Sequence, residues 1–409
     1  MGRRVLNEYG AINHSPKSSI AFAPYDEEQL ERFFAGNIKE GEIPFFYHGV
    51  GRGTPENYEL VQKMLECECG AFKDEYDGVT FASGMSAIWM LALSICAPEK
   101  KAFIYSSKVY GCTFVACYEL LPQLGIPTYR VDNPVSEEAW WIAAKQAIAD
   151  GHYIGAFFAE TPSNPLADVF LIRMFARLSK KFGGVTVIDN TVATHAIQKP
   201  FLWGVDAVVS SASKGLSGNS TDLGGILLAR KELFKEMTAA KFFHTMRPVM
   251  SPSVAAVFSK KLSYFGPNIY RHSENARILA EWLAEQPEFV DKVHYPTLAH
   301  SRDSEIIRDQ MSGYGGPLLS FEIKGGKEKA LAFVDALQYA VVMVHICDYR
   351  YTLVNCSGRT SHADMPSELQ KAAGITENLI RVSPSAEYEK IFREHLIPDF
   401  KRALEKVFC

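Results

Sequence analysis

GVTVIDNTVATHAIQKPFLWGVDAVVSSASKG, residues 184–215, is the part of the sequence that decides the fold. Two short apolar runs within it, VTVID and DAVVSS, are bounded by turn residues and are predicted to be strands. Asp189 ends the first run and Lys214 follows the second. Because ligands gather at the carboxyl ends of parallel strands, we expect both side chains to lie at one crevice.

Similar apolar runs alternate with helical patterns on both sides of this stretch. The other predicted strands are GVTFASG, KAFIYSS, IGAFFAE and GGILLA. Between them lie helical patterns such as LIRMFARLSKKF, in which apolar residues recur on one face and Gly183 ends the pattern. Continuously apolar strands that alternate with helices predict an α/β fold with a mostly parallel sheet covered on both faces.

The pattern changes at about residue 250, where longer helices begin. Predicted helices such as SENARILAEWLAEQ and KEKALAFVDALQYA are interspersed with the strand-like segments GPLLSFEIK, YAVVMVHI and NLIRVS. We therefore expect an irregular N-terminal arm over residues 1–55, a large domain over 56–250 and a smaller α+β domain over 251–409.

The composition, with 47% hydrophobic and 22% charged residues, is ordinary for a soluble globular protein. A net charge of -4 argues against nucleic-acid and anionic-membrane partners, which require a basic surface. The eight cysteines are scattered, as is typical of reduced thiols, and the C-x-C at residues 67–69 has no second pair to complete a metal site. No apolar h-region follows the basic start of the sequence, and the longest apolar stretch, AIWMLALSICA, is too short to span a bilayer, so we expect a soluble, cytoplasmic protein.

The stretch FASGMSAIWMLAL, residues 81–93, predicts a strand, a tight turn and a helix. Ser83 can cap this helix, and the amides of Gly84 and Met85 would then face an anion such as a phosphate. An ordinary strand-to-helix turn is the alternative interpretation. No complete G-x-G-x-x-G sequence follows a strand, so dinucleotide binding is only weakly supported.

Asp189 and Lys214 each allow two interpretations. A carboxylate at the end of a buried strand requires a partner, and a protonated heterocyclic nitrogen would serve, although Asp189 could simply cap a helix or a turn. Lys214 lies in SSASKGLSGNS, which is either a solvated loop or the site of an amine that forms a Schiff base. In the second case Ser211 and Ser213 would donate hydrogen bonds to a phosphate.

Arg381 lies within the apolar run NLIRVS, where an arginine requires an anionic partner. A substrate carboxylate would bind it in a bidentate manner, and a structural salt bridge is the alternative. A phosphate cradle, a carboxylate for a pyridinium nitrogen, an imine-forming lysine and a carboxylate-binding arginine together meet the requirements of pyridoxal 5'-phosphate (PLP) and an amino-acid substrate.

A series of motifs, in order along the chain, carries a family resemblance. The motifs are FASGMSAI, VYGCTF, AETPSNP, VIDNTVAT, FLWGVDAVVSSASKGLSGNSTDLGG, MSGYGGPLLSFEI and GITENLIRVSPSAE. From about residue 45 to its end, the chain resembles the Cys/Met-metabolism (transsulfuration) family of PLP-dependent enzymes. That family includes cystathionine γ-synthase, methionine γ-lyase and the O-acylhomoserine sulfhydrylases. The resemblance implies the fold-type I architecture of aspartate aminotransferase and a homotetramer of dimers that share active sites.

The resemblance also implies roles for single residues. It assigns the phosphate of PLP to Gly84, Met85, Ser211 and Ser213, with Ser83 in the same cofactor-binding set. It implies that Lys214 carries the cofactor and that Asp189 holds the pyridinium N–H. Tyr110 is expected to stack on the ring and to protonate the leaving group. Asn164 is expected to lie near the phenolic oxygen of the cofactor, and Arg381 to bind the substrate carboxylate.

Several segments depart from the family pattern. The family usually has Tyr-x-Arg before Asn-Pro-Thr, whereas this chain has YHGVGRGTPEN, so Arg52 is a candidate for the phosphate of a neighbouring subunit and Tyr47 is displaced. Asn219 stands where many members carry His, and CSGRTSH replaces a segment that usually begins His-Pro-Ala. The residue that lines the carboxylate site falls within VHICDYRYT, which does not align with the family pattern.

The predicted reaction is γ-elimination or γ-replacement on a sulfur amino acid or an O-acylhomoserine. Cys112 makes VYGCTF resemble methionine γ-lyase, whereas YTLV and SGNSTDLGG resemble the sulfhydrylases, and Cys112 is alternatively a small thiol with no catalytic part. The other possibilities are a PLP-dependent β-lyase or aminotransferase on the same fold, and an inactive family member that serves as a scaffold.

Overall fold

The computed structural model describes residues 26–34, 39, 53–239, 241–300 and 304–408. Most of the predicted N-terminal arm, including Tyr47 and Arg52, lies outside these residues. The described chain contains one large and one smaller sheet, each covered by helices.

The large sheet has seven strands. They are β1 Tyr76–Phe81, β2 Ala102–Ser106, β3 Thr128–Val131, β4 Ile154–Glu160, β5 Val185–Asp189, β6 Ala207–Ser211 and β7 Gly225–Arg230. Their order is β1-β7-β6-β5-β4-β2-β3, and only β7 runs against the other strands. The sheet is therefore mostly parallel, as predicted.

The predicted strands of the large sheet are all present, and β3 is the one that the sequence did not reveal. Every residue of β1, β2 and β4 is buried, which explains why their sequences are mostly apolar. In β3 only Val131 is buried, because this strand lies at the edge of the sheet. Its Tyr129 and Arg130 are partly exposed, and the hydrophobic pattern there is correspondingly weak.

The helices follow the strands in the alternation that the sequence predicts. They are α1 Glu27–Phe34, α2 Pro55–Cys69, α3 Gly84–Cys96, α4 Gly111–Val115, α5 Leu121–Gln123, α6 Glu137–Ala149, α7 Ile172–Lys181, α8 Thr194–Ile197, α9 Lys231–Ala239, α10 Lys241–Met246, α11 Pro252–Lys261, α12 Phe265–Ala284, α13 Pro296–Ala299, α14 Gly326–Ala336, α15 Ser367–Ala372 and α16 Glu389–Phe408. No helix within the described ranges is both long and apolar enough to cross a membrane.

Two hydrophobic clusters sandwich the large sheet. Phe157 and Phe158 are neighbours on β4, yet Phe157 packs in one cluster and Phe158 in the other. Val187 and Ile188 on β5 divide in the same way. Consecutive strand residues point to opposite faces, so both faces of the sheet are buried beneath helices and only the strand ends remain available for ligands.

The smaller sheet has five strands. They are β8 Val290–His294, β9 Leu319–Ile323, β10 Val341–Val342, β11 Leu353–Cys356 and β12 Leu379–Ser383. Their order is β10-β11-β12-β9-β8, and helices α12, α14 and α16 cover the sheet with the third hydrophobic cluster. YAVVMVHI was expected to be one strand, but only Val341–Val342 pairs, and the rest of that segment runs towards the large sheet.

Candidate active site

A cavity of about 850 Å³ lies between the carboxyl ends of the large-sheet strands and the segment around β12. It is lined by Ser83, Gly84, Met85, Tyr110, Asn164, Asp189, Ser211, Ser213, Lys214 and Arg381, among others. The structure thus brings together every predicted site residue except Arg52, which lies outside the described residues. Glu160, Thr191 and His345 also line the cavity and were not predicted.

The N-terminus of α3 forms one wall of the cavity. The amide of Ser86 donates to Oγ of Ser83 at 3.1 Å, so Ser83 caps the helix as predicted. The amides of Gly84 and Met85 donate to none of the described residues, and they are free for an anion. A Cβ atom on Gly84 would lie 2.8 Å from Cβ of Ser211, so this close approach of helix and strand requires glycine.

The hydroxyls of Ser211 and Ser213, on either side of Ala212, differ in their hydrogen bonding. Oγ of Ser213 accepts from the amide of Gly224 at 2.9 Å and lies 3.2 Å from its carbonyl oxygen, so that hydroxyl is already hydrogen-bonded. Ser211 has no side-chain partner among the described residues and faces the cavity. Ser211 is therefore the more available of the two hydroxyl donors.

Asp189 ends β5 and is buried. Its Oδ1 accepts from the amide of Thr191 at 3.0 Å and from its hydroxyl at 2.5 Å, while Oδ2 has no partner among the described residues. Burial raises the pKa of Asp189 to about 6, although the Thr191 bonds act in the opposite direction. The carboxylate therefore caps a turn with one oxygen and offers the other to a cation, which combines both interpretations made from the sequence.

Thr191 links Asp189 to the next strand. Its Oγ1 donates to Asp189 and accepts from the amide of Ser211 at 2.8 Å. One hydroxyl thus fixes the carboxylate relative to the end of β6. The sequence carried a signal for this role, because a threonine two residues after an aspartate commonly closes a local turn.

Lys214 follows β6 in a segment that is largely buried, so the solvated-loop interpretation is wrong. Its Nζ lies 3.0 Å from Nδ1 of His345. Burial lowers the pKa of Lys214, and the nearby Arg381 lowers it further, while Cys347 and Cys112 raise it. A lowered pKa increases the fraction of neutral amine, which is the form that acts as a nucleophile and a base.

The buried Lys261 holds the loop after Lys214 in place through hydrogen bonds. Its Nζ donates to the carbonyl of Ser217 at 2.9 Å, to Oδ1 of Asn219 at 2.8 Å and to Oδ2 of Asp222 at 2.8 Å. Asn219, at the position where many relatives carry His, is therefore part of a loop anchor.

Arg381 lies on β12 and is almost completely buried. Its Nη1 donates to Oδ1 of Asn164 at 3.2 Å, and its Nη2 donates to the carbonyl of Val344 at 2.6 Å. It forms no ion pair with the described residues, so the structural salt bridge is absent there. Burial lowers its pKa to about 10, so the guanidinium is charged at neutral pH. A buried charge without a counter-ion is unfavourable, and Arg381 can therefore bind an anion.

Tyr110 and Glu160 meet at the start of α4. The amide of Tyr110 donates to Oε2 of Glu160 at 2.8 Å, which positions the tyrosine ring over the cavity. Burial and the neighbouring Cys112 raise the pKa of Tyr110 to about 12. Tyr110 is thus a phenol at neutral pH and can donate a proton.

Glu160 was missed although the sequence carried a signal for it. It ends β4, as Asp189 ends β5, and IGAFFAE shows the same carboxylate after an apolar run. Burial and the nearby Asp189 hold the pKa of Glu160 well above its ordinary value. The direction of this shift favours the protonated form of Glu160 and leaves the negative charge of the pair to Asp189.

These features fit PLP. Two free amides and the Ser211 hydroxyl suit a phosphate, the unpaired Oδ2 of Asp189 suits a protonated ring nitrogen, and Lys214 supplies an amine whose pKa is lowered. The anion site formed by these amides and the Ser211 hydroxyl includes Gly84, where a side chain would collide with Ser211. Cys112 is exposed, beside Tyr110.

Residues 25–405 match the family described as Cys/Met metabolism PLP-dependent enzyme. The chain is 33% identical to O-succinylhomoserine sulfhydrylase from Pseudomonas aeruginosa over 326 residues, which cover 80% of this chain and 77% of that protein. It is 30% identical to L-methionine gamma-lyase from Fusobacterium nucleatum over 402 residues, which cover 98% and 95% of the two chains.

A solved structure from Campylobacter jejuni, assigned as an O-acetylhomoserine (thiol)-lyase, has the same fold. It superimposes with a TM-score of 0.81 at 25% identity and covers 99% of this chain and 98% of that one. That protein carries N'-pyridoxyl-lysine-5'-monophosphate, a lysine joined to the cofactor.

Proposed function

We propose a reaction on the premise that the chain belongs to the Cys/Met metabolism family of PLP-dependent enzymes. The protein eliminates or replaces the γ-substituent of a sulfur amino acid or an O-acylhomoserine. The relatives named above act in this class, as a sulfhydrylase and a γ-lyase. The observation that carries the proposal is the convergence of Lys214, Asp189 and Arg381 on one cavity from two different sheets.

We assign the cofactor to the large-sheet side of the cavity. The proposed phosphate ligands are Gly84, Met85, Ser211 and Ser213, with Ser83 in the same cofactor-binding set as the cap of α3. Asp189 is proposed to hold the ring nitrogen, Lys214 to carry the cofactor and Tyr110 to cover the ring. Support comes from the free amides of α3, the unpaired Oδ2 of Asp189 and the family membership.

Each remaining residue has a task that its surroundings suit. When bound, PLP supplies an electron sink for negative charge that develops at the α-carbon of an amino acid. Lys214, as a neutral amine, would remove the α-proton, hand that proton on to the bound cofactor and, neutral again, remove a β-proton. Tyr110 is a phenol at neutral pH and gives its proton to the leaving group. Arg381 binds the substrate carboxylate and fixes the orientation of the α-carbon.

The organisation of the chain follows from the same proposal. We propose a cofactor-binding domain at residues 56–250, which contains all strands of the large sheet, and a C-terminal domain at 251–409, which contains the smaller one. We further propose a homotetramer of dimers, on the family resemblance, and a cytoplasmic location, which the free thiols of the described cysteines support.

A product assay tests the reaction. L-Methionine, L-cystathionine, O-acetylhomoserine and O-succinylhomoserine are each supplied with and without a thiol, and 2-oxobutyrate, pyruvate and new thioether are measured. Elimination yields 2-oxobutyrate, and replacement yields a thioether only when the thiol is present. The Lys214→Ala variant is the control and should form neither product.

Three results would contradict the proposal. Pyruvate from L-cystathionine without 2-oxobutyrate would indicate a β-lyase. Transfer of the amino group to a keto acid would indicate an aminotransferase. The absence of any product, with PLP bound, would favour the scaffold.

A further inference from the structure

The loop that carries Lys214 is joined to a segment of the smaller domain. We call residues 214–220 the lysine loop and residues 344–350 the histidine segment. Besides the Lys214–His345 contact, four hydrogen bonds join them: Tyr349 N to Gly218 O at 2.7 Å, Ser220 Oγ to Asp348 Oδ2 at 2.7 Å, Arg350 Nη2 to Asn219 O at 2.8 Å, and the Tyr349 hydroxyl to Gly215 O. The relative position of Lys214 and His345 is therefore fixed by bonds other than their own.

The other side of the histidine segment is held by β12. Nη2 of Arg381 donates to the carbonyl of Val344 at 2.6 Å and lies 3.3 Å from that of His345. The amide of Cys347 donates to Oγ of Ser383 at 2.7 Å. Cys347 has a φ of +62°, in the left-handed region that favours glycine. The surrounding contacts therefore hold the backbone in a conformation that costs conformational free energy.

The imidazole of His345 is neutral at physiological pH. Burial lowers its pKa to about 4, and Lys214 and Arg381 lower it too, against smaller opposite effects of Asp348 and the Ser213 backbone. A neutral imidazole has one bare nitrogen, and an ammonium group can only donate. Nδ1 lies 3.0 Å from Nζ of Lys214 and must be the bare nitrogen when that amine is protonated, which puts the ring proton on Nε2, a buried atom with no partner among the described residues.

We propose that His345 is a positioning residue, which accepts a hydrogen bond from the ε-amine of Lys214 whenever that amine is free and so controls its protonation. This inference rests on the proposed role of Lys214 as the cofactor-carrying lysine. An acceptor stabilises the ammonium form and opposes the effect of burial. His345 therefore keeps the free amine at the cavity wall and limits how far its proton affinity falls.

The test measures the titration of Lys214 in the full-length, cofactor-free protein. Competitive labelling with acetic anhydride between pH 6 and 11, followed by mass spectrometry, gives the midpoint at which Lys214 becomes reactive. His345→Leu preserves the apolar bulk but removes both nitrogens. His345→Asn retains an acceptor at the position of Nδ1. The partly exposed Lys63, which pairs with Glu59, is an internal control in every sample.

We expect the His345→Leu midpoint to fall by about one pH unit, as loss of a hydrogen bond to a charged group predicts. His345→Asn should stay near the wild type. The rate at which each cofactor-free protein captures PLP, followed by absorbance, should show the same displacement of its pH profile. Equal midpoints in all three proteins would overturn the proposal, whether or not the γ-reaction is confirmed.

The wild-type protein supplies a second test in case the Leu variant does not fold. In cofactor-free wild-type protein labelled with ¹⁵N-histidine, the ring of His345, assigned by comparison with His345→Asn, should be neutral at pH 7 with a bare Nδ1. A doubly protonated ring, or a proton on Nδ1, would refute the proposal.

Discussion

Glu160 and Asp189 are register partners at the carboxyl ends of the adjacent parallel strands β4 and β5, and both carboxyl groups are buried. Two anions cannot be held so close at low cost, and the pKa of Glu160 is raised well above its ordinary value. The shift favours a protonated Glu160, whose Oε2 accepts a hydrogen bond from the Tyr110 amide, and leaves the negative charge to Asp189. The carboxyl group of Glu160 thus has a structural role, whereas the carboxylate of Asp189 is available to bind a cation.

Glu160→Gln should make the stability of the cofactor-free protein less dependent on pH. An acid whose folded pKa is raised binds more protons when folded, so stability falls as pH rises from the unfolded value of 4.5 towards the folded one. The slope is at most about 1.4 kcal/mol per pH unit. Glutamine mimics the protonated carboxyl and removes this slope. Urea midpoints at pH 5, 6, 7 and 8 measure the change, with the exposed Glu138→Gln as control. Parallel curves for the wild type and Glu160→Gln would show that Glu160 is ionised.

Thr191→Val should weaken the retention of PLP. The substitution removes one bond to Asp189 and leaves the Ser211 amide without its acceptor, which costs about 1–3 kcal/mol. It also raises the pKa of Asp189 further above 6, so less carboxylate is present at pH 7. Thr191→Ser keeps the hydroxyl and is the matched control. Fluorescence of PLP released on dilution measures retention, and equal release from both variants would contradict the role of Thr191.

Gly84→Ala should reduce PLP affinity by at least about tenfold, which corresponds to 1.4 kcal/mol. The new Cβ would lie 2.8 Å from Cβ of Ser211, so α3 must move away from β6 and distort the anion cradle. Gly266→Ala is the control, because its Cβ would meet nothing nearer than 3.7 Å. Binding of PLP to the cofactor-free proteins by titration gives both affinities. An unchanged affinity in Gly84→Ala would exclude the α3 terminus as the phosphate site.

Arg381→Lys should raise KM for the amino-acid substrate by about 10- to 100-fold and change kcat less, because a lysine cannot bind a carboxylate in a bidentate manner. Steady-state kinetics at saturating PLP provide both constants. Arg393→Lys, in an exposed pair with Glu389 on α16, is the control. A loss of kcat at constant KM would mean that Arg381 serves the chemical step rather than substrate binding.

Lys261→Met should loosen the loop that follows Lys214. The substitution removes the donor to Ser217, Asn219 and Asp222. Amide hydrogen exchange in residues 215–222 should therefore accelerate by about tenfold, in keeping with a loss of roughly 1.4 kcal/mol of local stability. Lys260→Met, at the exposed neighbouring position, should leave exchange unchanged. Equal exchange in both variants would show that the loop is held by other contacts.

The sequence predicts most of the large sheet because its strands are buried on both faces and read as apolar runs. It misses β3 because an edge strand with Tyr129 and Arg130 partly exposed has no such run. YAVVMVHI reads as one strand, yet Arg381 binds the carbonyls of Val344 and His345, and the segment turns away from its sheet. A tertiary contact overrides the local β propensity there.

The candidate site divides in a similar way. Residues tied to a local motif, such as Ser83 at a helix start and Asp189 at a strand end, are recognisable from the sequence. Glu160 could have been recognised by the rule applied to Asp189. His345 could not, because its importance arises from a contact with Lys214 across 131 residues of sequence, in a segment that follows no family pattern.

The position of β7 has a consequence for the nascent chain. The large sheet is complete at Arg230, soon after Lys214 emerges, whereas Arg381 is made much later. Domains generally fold as units during synthesis, the N-terminal one first. A ribosome-bound chain can therefore assemble the proposed vitamin-binding half before the half that selects the amino acid exists.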